Sequence, residues 1–133
     1  MMTFENIKKK LNSLGDWEEK YEFLITLGKK LPPMPPDLKT SQYKVTSCTS
    51  DTWVHISFIN NEVEIKADSA SQIVKGVLYV LAAICYKRTP QDCAKINAVE
   101  MLNSLGLLSN ISASRYNGIQ NIIVYIRRAC LDS

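Results

Sequence analysis

The residues of this chain that are best suited to covalent chemistry are its four cysteines, and their surroundings separate one from the rest. Cys48 lies in the polar run Thr-Ser-Cys-Thr-Ser-Asp at residues 46–51, between two segments that alternate like β-strands. Loops held by rigid strands commonly carry reactive groups, and an accessible thiolate is a strong nucleophile. The residue types alone leave an incidental loop cysteine and a reactive one equally supported.

The other three cysteines fit a structural role. Cys85 falls in the apolar stretch of a central helix, Cys93 stands beside Ala94, and Cys130 continues the apolar stripe of the last helix. A free cysteine behaves as a small hydrophobe, so the pattern predicts that all three fill the core. No CxxC pair is present and the chain has one histidine. The sequence therefore predicts no metal site.

Enzymatic uses of Cys48 lack the partners that they require. A thiol protease needs a base within hydrogen-bond reach of its nucleophile. His55, the one histidine, lies seven residues on in a strand that leads away from the loop, and a strand advances about 3.3 Å per residue. His55 is therefore interpreted as a surface strand residue. The carboxylates show no catalytic pairing, and the five glycines form no phosphate-binding loop.

Composition places the chain among ordinary globular proteins. Its 133 residues suit one domain, with 46% hydrophobic and 22% charged residues and a net charge of +3. The cationic cluster Lys8–Lys10 has no interleaved aromatic residues, so nucleic-acid binding is not favoured. The longest apolar run, 77–86, is about half of a membrane span. No signal-peptide pattern is evident, which predicts a cytoplasmic location with reduced thiols.

Local patterns predict helices at both ends of the chain. Thr3 is expected to cap a first helix that Gly15 stops, and Asp16 with Glu19 forms a capping-box variant for a second. Four prolines within residues 32–36 predict an extended connector. Later helices are expected to begin at four points: Asp68 or Ser69, Thr89-Pro90, Asn97, and Ser112.

The middle of the chain predicts strands. Apolar residues alternate in three segments, around Tyr43 and Val45, at 54–58 and at 63–67, and Asn60-Asn61 supplies a tight hairpin loop. The predicted fold class is α+β, with a small antiparallel sheet of about three strands covered mainly on one face by helices.

Collinear motifs along nearly the whole chain resemble one family. They include Trp-Glu-Glu-Lys-Tyr at 17–21, Leu-Gly-Lys-Lys-Leu-Pro at 27–32, Cys-Thr-Ser at 48–50 followed by Trp53, Ala-Asp-Ser at 67–69, Ile-Val-Lys-Gly at 73–76, Thr-Pro at 89–90, Leu-Gly-Leu at 105–107, and Ser-Arg then Asn-Gly at 114–118. This series resembles the SufE family, the sulfur acceptors of cysteine desulfurases in iron–sulfur cluster assembly.

The resemblance implies a role for Cys48. It would accept sulfur as a persulfide from a SufS-type desulfurase, stimulate that enzyme, and deliver the sulfur to a cluster scaffold. The chain would carry no cofactor, since the pyridoxal phosphate belongs to the partner, and would form one SufE/IscU-like domain over residues 1–133, with a homodimer left open. The resemblance places Arg115, Ser50 and Trp53 in partner binding or support of the loop.

Some points stay open at the level of sequence. Ser47 and Thr52 replace a glycine and a valine that are usual in the family, and the nearby charges of Lys44 and Asp51 oppose each other. An IscU-like cluster scaffold would need about three converging thiolates, whereas only Cys48 lies in a predicted loop. A small thiol-dependent enzyme is the other alternative.

Overall fold

The described residues form helices and one antiparallel strand pair, with a long central helix packed against the second strand. A computed structural model describes residues 1–45 and 50–133. In chain order the elements are α1 (Phe4–Ser13), α2 (Trp17–Lys29), β1 (Thr52–Ile59), β2 (Glu62–Ser69), α3 (Gln72–Cys85), α4 (Pro90–Ala94), α5 (Ala98–Ser104) and α6 (Ala113–Leu131). This arrangement confirms the predicted α+β class.

The predicted helix starts of the N-terminal region are confirmed by their hydrogen bonds. The Thr3 hydroxyl accepts from the backbone N–H of Asn6 at 3.1 Å, and Asp16 Oδ1 accepts from that of Glu19 at 2.9 Å. The Glu19 carboxylate in turn accepts from the N–H of Gly15 at 3.0 Å. Side-chain oxygens thus satisfy N–H groups that a helix leaves unpaired at its start.

The hairpin between β1 and β2 is also as predicted. Asn60 and Asn61 adopt positive φ angles of 53° and 62°, the conformation that a two-residue turn of this hand requires. The register pairs Val54 with Ala67 and Phe58 with Val63, so the apolar residues of both strands share one face. Val54, Val63 and Ala67 are buried there in the core.

The prediction of about three strands is wrong for the residues that the structure describes, which form a two-stranded sheet. Ser41–Tyr43 forms a 3-10 turn instead of a strand. Beyond it, Lys44 makes a single bridge to Trp53, and the N–H of Val45 donates to the carbonyl of Thr52 at 2.9 Å. The segment around Tyr43 and Val45 is thus too short to add a third strand to the sheet.

The predicted cap of the central helix is likewise wrong. α3 begins at Gln72, and the hydroxyl of Ser71 caps it by accepting from the N–H of Val74 at 3.3 Å. β2 continues to Ser69, whose hydroxyl lies 2.8 Å from that of Thr52 and accepts from the N–H of Ser71 at 3.1 Å. Asp68 and Ser69 therefore belong to the strand, and the Ser69 side chain bonds across the sheet and to the following turn.

Helix α3 forms the centre of the hydrophobic core and crosses α2 closely. A Cβ on Gly28 would lie 2.8 Å from the backbone nitrogen of Gly76, and one on Gly76 would overlap the carbonyl oxygen of Leu24. Glycine at both positions lets the two backbones meet. Within the described parts of the chain, no helix combines the length and the apolar character that a membrane span requires.

Candidate functional site

The residues that flank the segment at 46–49 are hydrogen-bonded to the strand pair or to its ends. Cys48 and Ser47 themselves lie outside the described residues. Before the segment, Val45 bonds to Thr52 as noted above. After it, the Thr52 hydroxyl donates to the carbonyl of Ser50 at 3.0 Å, and the N–H of Ala70 donates to the carbonyl of Asp51 at 2.8 Å. The chain therefore enters and leaves the Cys48 segment beside the start of β1 and the end of β2.

An ion pair joins the two flanks of this segment. Lys44 Nζ lies 2.9 Å from Asp51 Oδ1, and the side chains are 41% and 62% exposed. The sequence left open which of these charges would act on the Cys48 thiol. In the structure the two charges are paired with each other, and an ion pair this exposed contributes little to stability.

Ser50 and Trp53, which the resemblance assigns to partner binding or support of the loop, both lie at the base of the segment. The base is formed by the described residues on its two flanks, 44–45 and 50–53. Ser50 is half-buried and offers its carbonyl to Thr52. Trp53 stands opposite Asp68 in the strand pair, and Lys39 Nζ lies 5.8 Å from the centre of its ring, within the range of a cation–π interaction.

Asp68 connects these neighbours through two cations. Its carboxylate pairs with Lys39 at 2.5 Å and with Lys75 at 3.5 Å. Burial raises the pKa of Asp68, but the hydrogen bonds from Lys39 and from the N–H of Ser69, with the charge of Lys75, outweigh burial and hold the pKa below its ordinary value. Sequence reasoning missed this group, since Asp68 was interpreted as a helix cap and Lys39 follows the proline-rich connector.

Arg115 stands apart from the contacts at the base. It lies half-buried in the first turn of α6, where its backbone N–H donates to the Ser112 hydroxyl at 3.3 Å. A cavity between the base and α6 is lined, among described residues, by Lys44, Val45, Asn121, Val124, Tyr125, Arg128, Ala129 and Asp132. Arg115 precedes the first α6 residue of that lining by about 9 Å of helix.

His55 is less exposed than predicted. Its ring packs edge-on against Tyr43, with the ring centres 4.8 Å apart, and its buried Nδ1 has no hydrogen-bond partner among the described residues. Tyr43 also lies near Tyr125, whose pKa is raised first by burial and then by the charge of Tyr43. His55, predicted to be a surface residue, is therefore half-buried against Tyr43.

The three cysteines assigned to the core are buried as predicted, with 5%, 7% and 3% exposure for Cys85, Cys93 and Cys130. They also meet, which no local pattern predicted. The Sγ atoms of Cys85 and Cys93 are 2.6 Å apart, and the Cys93 and Cys130 thiols are hydrogen-bonded. The bond to Cys85, and then burial, raise the pKa of Cys93, while burial raises the pKa of Cys130 to about 12. At neutral pH both are protonated and weakly nucleophilic.

No cluster of histidine, cysteine and acidic side chains suited to hold a metal ion occurs among residues 1–45 and 50–133.

Comparisons with known proteins relate this chain to one protein family. The family model named SufE, described as an Fe-S metabolism associated domain, matches residues 5–130. The sulfur acceptor protein CsdE of Escherichia coli is 31% identical over 119 residues, which cover 89% of this chain and 81% of the relative. The cysteine desulfuration protein SufE of Wigglesworthia glossinidia brevipalpis is 27% identical over 125 residues, which cover 93% and 87%.

A solved structure shares the fold. The solution structure of a hypothetical protein from Thermus thermophilus superimposes with a TM-score of 0.78, at 18% identity, over 99% of this chain and 100% of that one. The fold therefore recurs in a distant sequence.

Proposed function

Because this chain belongs to the SufE family, we propose that it is a sulfur acceptor that takes persulfide sulfur onto Cys48 from a pyridoxal-phosphate-dependent cysteine desulfurase. In this proposal it stimulates the desulfurase and hands the sulfur on for iron–sulfur cluster assembly. The names of the two relatives, a sulfur acceptor and a cysteine desulfuration protein, support the role in sulfur transfer. The desulfurase and the sulfur recipient are partners that the proposal adds.

Cys48 is proposed as the acceptor because the other cysteines are buried. The chain has four, and three of them lie in the core with at most 7% exposure. Of these, Cys93 has a pKa raised by its hydrogen bond to Cys85 and by burial, and Cys130 has a pKa raised chiefly by burial. A sulfur acceptor must present a thiolate to a second protein, and the buried thiols do not meet that requirement. Cys48 is the cysteine that remains.

The proposed step is a thiol–persulfide exchange. The Cys48 thiolate attacks the outer sulfur of a persulfide on the desulfurase, and a new sulfur–sulfur bond forms on Cys48. The bond between the outer sulfur and the desulfurase cysteine breaks, and that cysteine leaves as a thiolate. One sulfur atom moves and no external oxidant or reductant is consumed. The pyridoxal phosphate acts on the partner, and the proposal gives this chain no cofactor of its own.

The base of the Cys48 segment suits docking of a partner. The described residues on its two flanks are hydrogen-bonded to the strand pair and to each other, which gives the segment firm attachment points. The ends of the Lys44–Asp51 pair are exposed beside it. We assign Ser50 and Trp53 to support of the segment and Arg115 to partner contact. The proposal also treats residues 1–133 as one domain and places the protein in the cytoplasm.

The test is transfer of one sulfur atom, followed by intact mass. The reduced protein is mixed with a cysteine desulfurase and free cysteine, and we expect a product heavier by one sulfur. Cys48→Ser should abolish the adduct and the stimulation of the desulfurase while leaving the circular dichroism spectrum unchanged. Cys130→Ser is the matched control, and it should still accept sulfur.

Other outcomes would count against the proposal. A Cys48→Ser protein that still gains sulfur would place the acceptor elsewhere. Binding of iron with a coloured product, and no sulfur adduct, would favour a cluster scaffold.

A further inference from the structure

The pair of thiols formed by Cys85 and Cys93 has no part in the proposed sulfur transfer. Cys85 is the last residue of α3 and Cys93 lies within α4. Their Sγ atoms are 2.6 Å apart, well inside the separation of ~3.5–4.0 Å that non-bonded heavy atoms prefer. The connection between them reverses the chain, with Lys87 at a positive φ of 60°. The fold thus brings the two sulfurs together across a turn.

The pair is buried from bulk water but borders a cavity. The cavity, about 390 Å³ in volume, lies between α3, the α4–α5 connection and α6. Cys85 and Cys93 contribute to its wall, with apolar neighbours that include Leu81, Ile96 and Val124. Val124 is 44% exposed, so the cavity reaches the protein surface. A small oxidant can approach the sulfurs by this route, whereas a folded partner protein cannot.

We propose that Cys85 and Cys93 form a redox-active dithiol that closes to an intramolecular disulfide when the protein meets a small oxidant such as hydrogen peroxide. The disulfide would tie the C-terminal end of α3 to α4. It is a modification site separate from the sulfur-accepting cysteine, and it needs little movement, since a disulfide bond is about 2.05 Å long.

The reaction balances with one equivalent of peroxide. The Cys85 sulfur attacks one peroxide oxygen, the O–O bond breaks, and Cys85 becomes a sulfenic acid with release of water. The Cys93 sulfur then attacks the Cys85 sulfur, the S–O bond breaks, and a second water leaves with the Cys93 proton. Two thiols are oxidised to one disulfide, and the peroxide is reduced to two waters.

Cys130 is not a member of the proposed disulfide. It is hydrogen-bonded to Cys93 and 3% exposed, but it is not among the residues that line the cavity. An oxidant that enters the cavity therefore meets Cys85 and Cys93, which line it, and not Cys130.

Tryptic mapping of the oxidised protein tests the proposal directly. Cleavage after lysine and arginine places the four cysteines on four peptides, 45–66, 76–87, 89–95 and 129–133. The protein is treated with hydrogen peroxide, its remaining thiols are alkylated in denaturant, and it is digested. We use the Cys48→Ser background, so that the loop thiol cannot form intermolecular disulfides. The expected product joins 76–87 to 89–95 and disappears on reduction.

Two controls separate a folded dithiol from chance pairing. Oxidation of the same variant in denaturant should lower the yield of the 76–87/89–95 product several-fold. Cys130→Ala, in the same background, should leave the yield in the folded protein unchanged. A folded protein in which both Cys85 and Cys93 remain fully alkylated after peroxide would overturn the proposal, as would a dominant 89–95/129–133 product. Neither result would bear on sulfur acceptance at Cys48, which is measured separately.

Discussion

Asp68 connects the strand pair to two other parts of the chain, because its carboxylate pairs with Lys39, just after the proline-rich connector, and with Lys75 of α3. These two cations stabilise the ionised form of Asp68, and Lys39 also lies within cation–π range of the Trp53 ring. Asp68 thus links β2 to α3 and to the segment that follows the prolines, beside the start of β1.

The first prediction follows from the lowered pKa of Asp68. Asp68→Asn should reduce the free energy of unfolding by about 1 kcal/mol at pH 7, because charged hydrogen bonds are lost at a partly exposed site. The folded pKa lies below the unfolded value of 3.8, so the stabilisation is present above the unfolded pKa and vanishes as the pH falls through the folded pKa. Urea denaturation from neutral to strongly acidic pH measures this difference.

The matched control is Asp51→Asn, which breaks an exposed ion pair. It should change the free energy of unfolding by less than about 0.5 kcal/mol. If both variants lost the same stability, or if the loss in Asp68→Asn did not depend on pH, the ion-pair account of Asp68 would be wrong.

The buried thiols give a second prediction. Changing Cys85, Cys93 and Cys130 together to Ala should keep sulfur acceptance at Cys48, because none of the three is proposed to carry sulfur. Stability should fall by roughly 1 kcal/mol per site, from lost packing. Sulfur uptake measured by intact mass, beside a denaturation curve, checks both parts. A folded triple variant that takes up no sulfur would show that a core thiol takes part in the transfer.

Among the helices, the crossing of α2 and α3 depends on two glycines. In an exposed helix, replacing glycine by alanine stabilises by about 1 kcal/mol. At Gly76 the effect should reverse, because the new Cβ would overlap the carbonyl oxygen and side chain of Leu24. Gly76→Ala should therefore destabilise by about 1–3 kcal/mol through overpacking, measured by chemical denaturation.

Gly15→Ala provides the comparison for this third prediction. The nearest atom to its new Cβ would be a Glu19 carboxylate oxygen at 3.9 Å, an ordinary contact. Its stability should stay within about 0.5 kcal/mol of the starting protein. A Gly76→Ala variant as stable as Gly15→Ala would mean that the two helices can separate without cost.

At the scale of the whole molecule, the proposed function requires recognition of a desulfurase, and two of the three arginines of α6 differ in their surroundings. Arg115 is half-buried at the start of the helix, within the motif that resembles the family, whereas Arg127 is exposed beside the apolar cavity that Cys85 and Cys93 border. Arg115→Ala should slow single-turnover sulfur transfer from a persulfidated desulfurase, by about tenfold if one charged contact is lost. Arg127→Ala should leave the rate nearly unchanged. Equal and negligible effects would make Arg115 an ordinary surface residue.

The sequence determined the features that rest on short-range contacts. The caps at Thr3, Asp16, Thr89, Asn97 and Ser112 were all predicted, because each bonds a backbone N–H three residues away. The Asn60-Asn61 turn was predicted because positive φ angles favour asparagine locally. The resemblance to the SufE family was confirmed, since it rests on residue types in collinear order. The assignment of sulfur to Cys48 came from the same source and stays a prediction.

The tertiary structure decided what depends on residues distant in the chain. Whether Tyr43–Val45 formed a third strand depended on how far it could pair with β1, and only one bridge formed among the described residues. Ser69 does not cap α3, because its hydroxyl is hydrogen-bonded to that of Thr52, seventeen positions earlier. The meeting of Cys85, Cys93 and Cys130 and the pairing of Lys39 with Asp68 have the same origin. Apolar periodicity indicates which side chains are buried, but their neighbours are set by how the helices and strands pack together, and no local pattern records that packing.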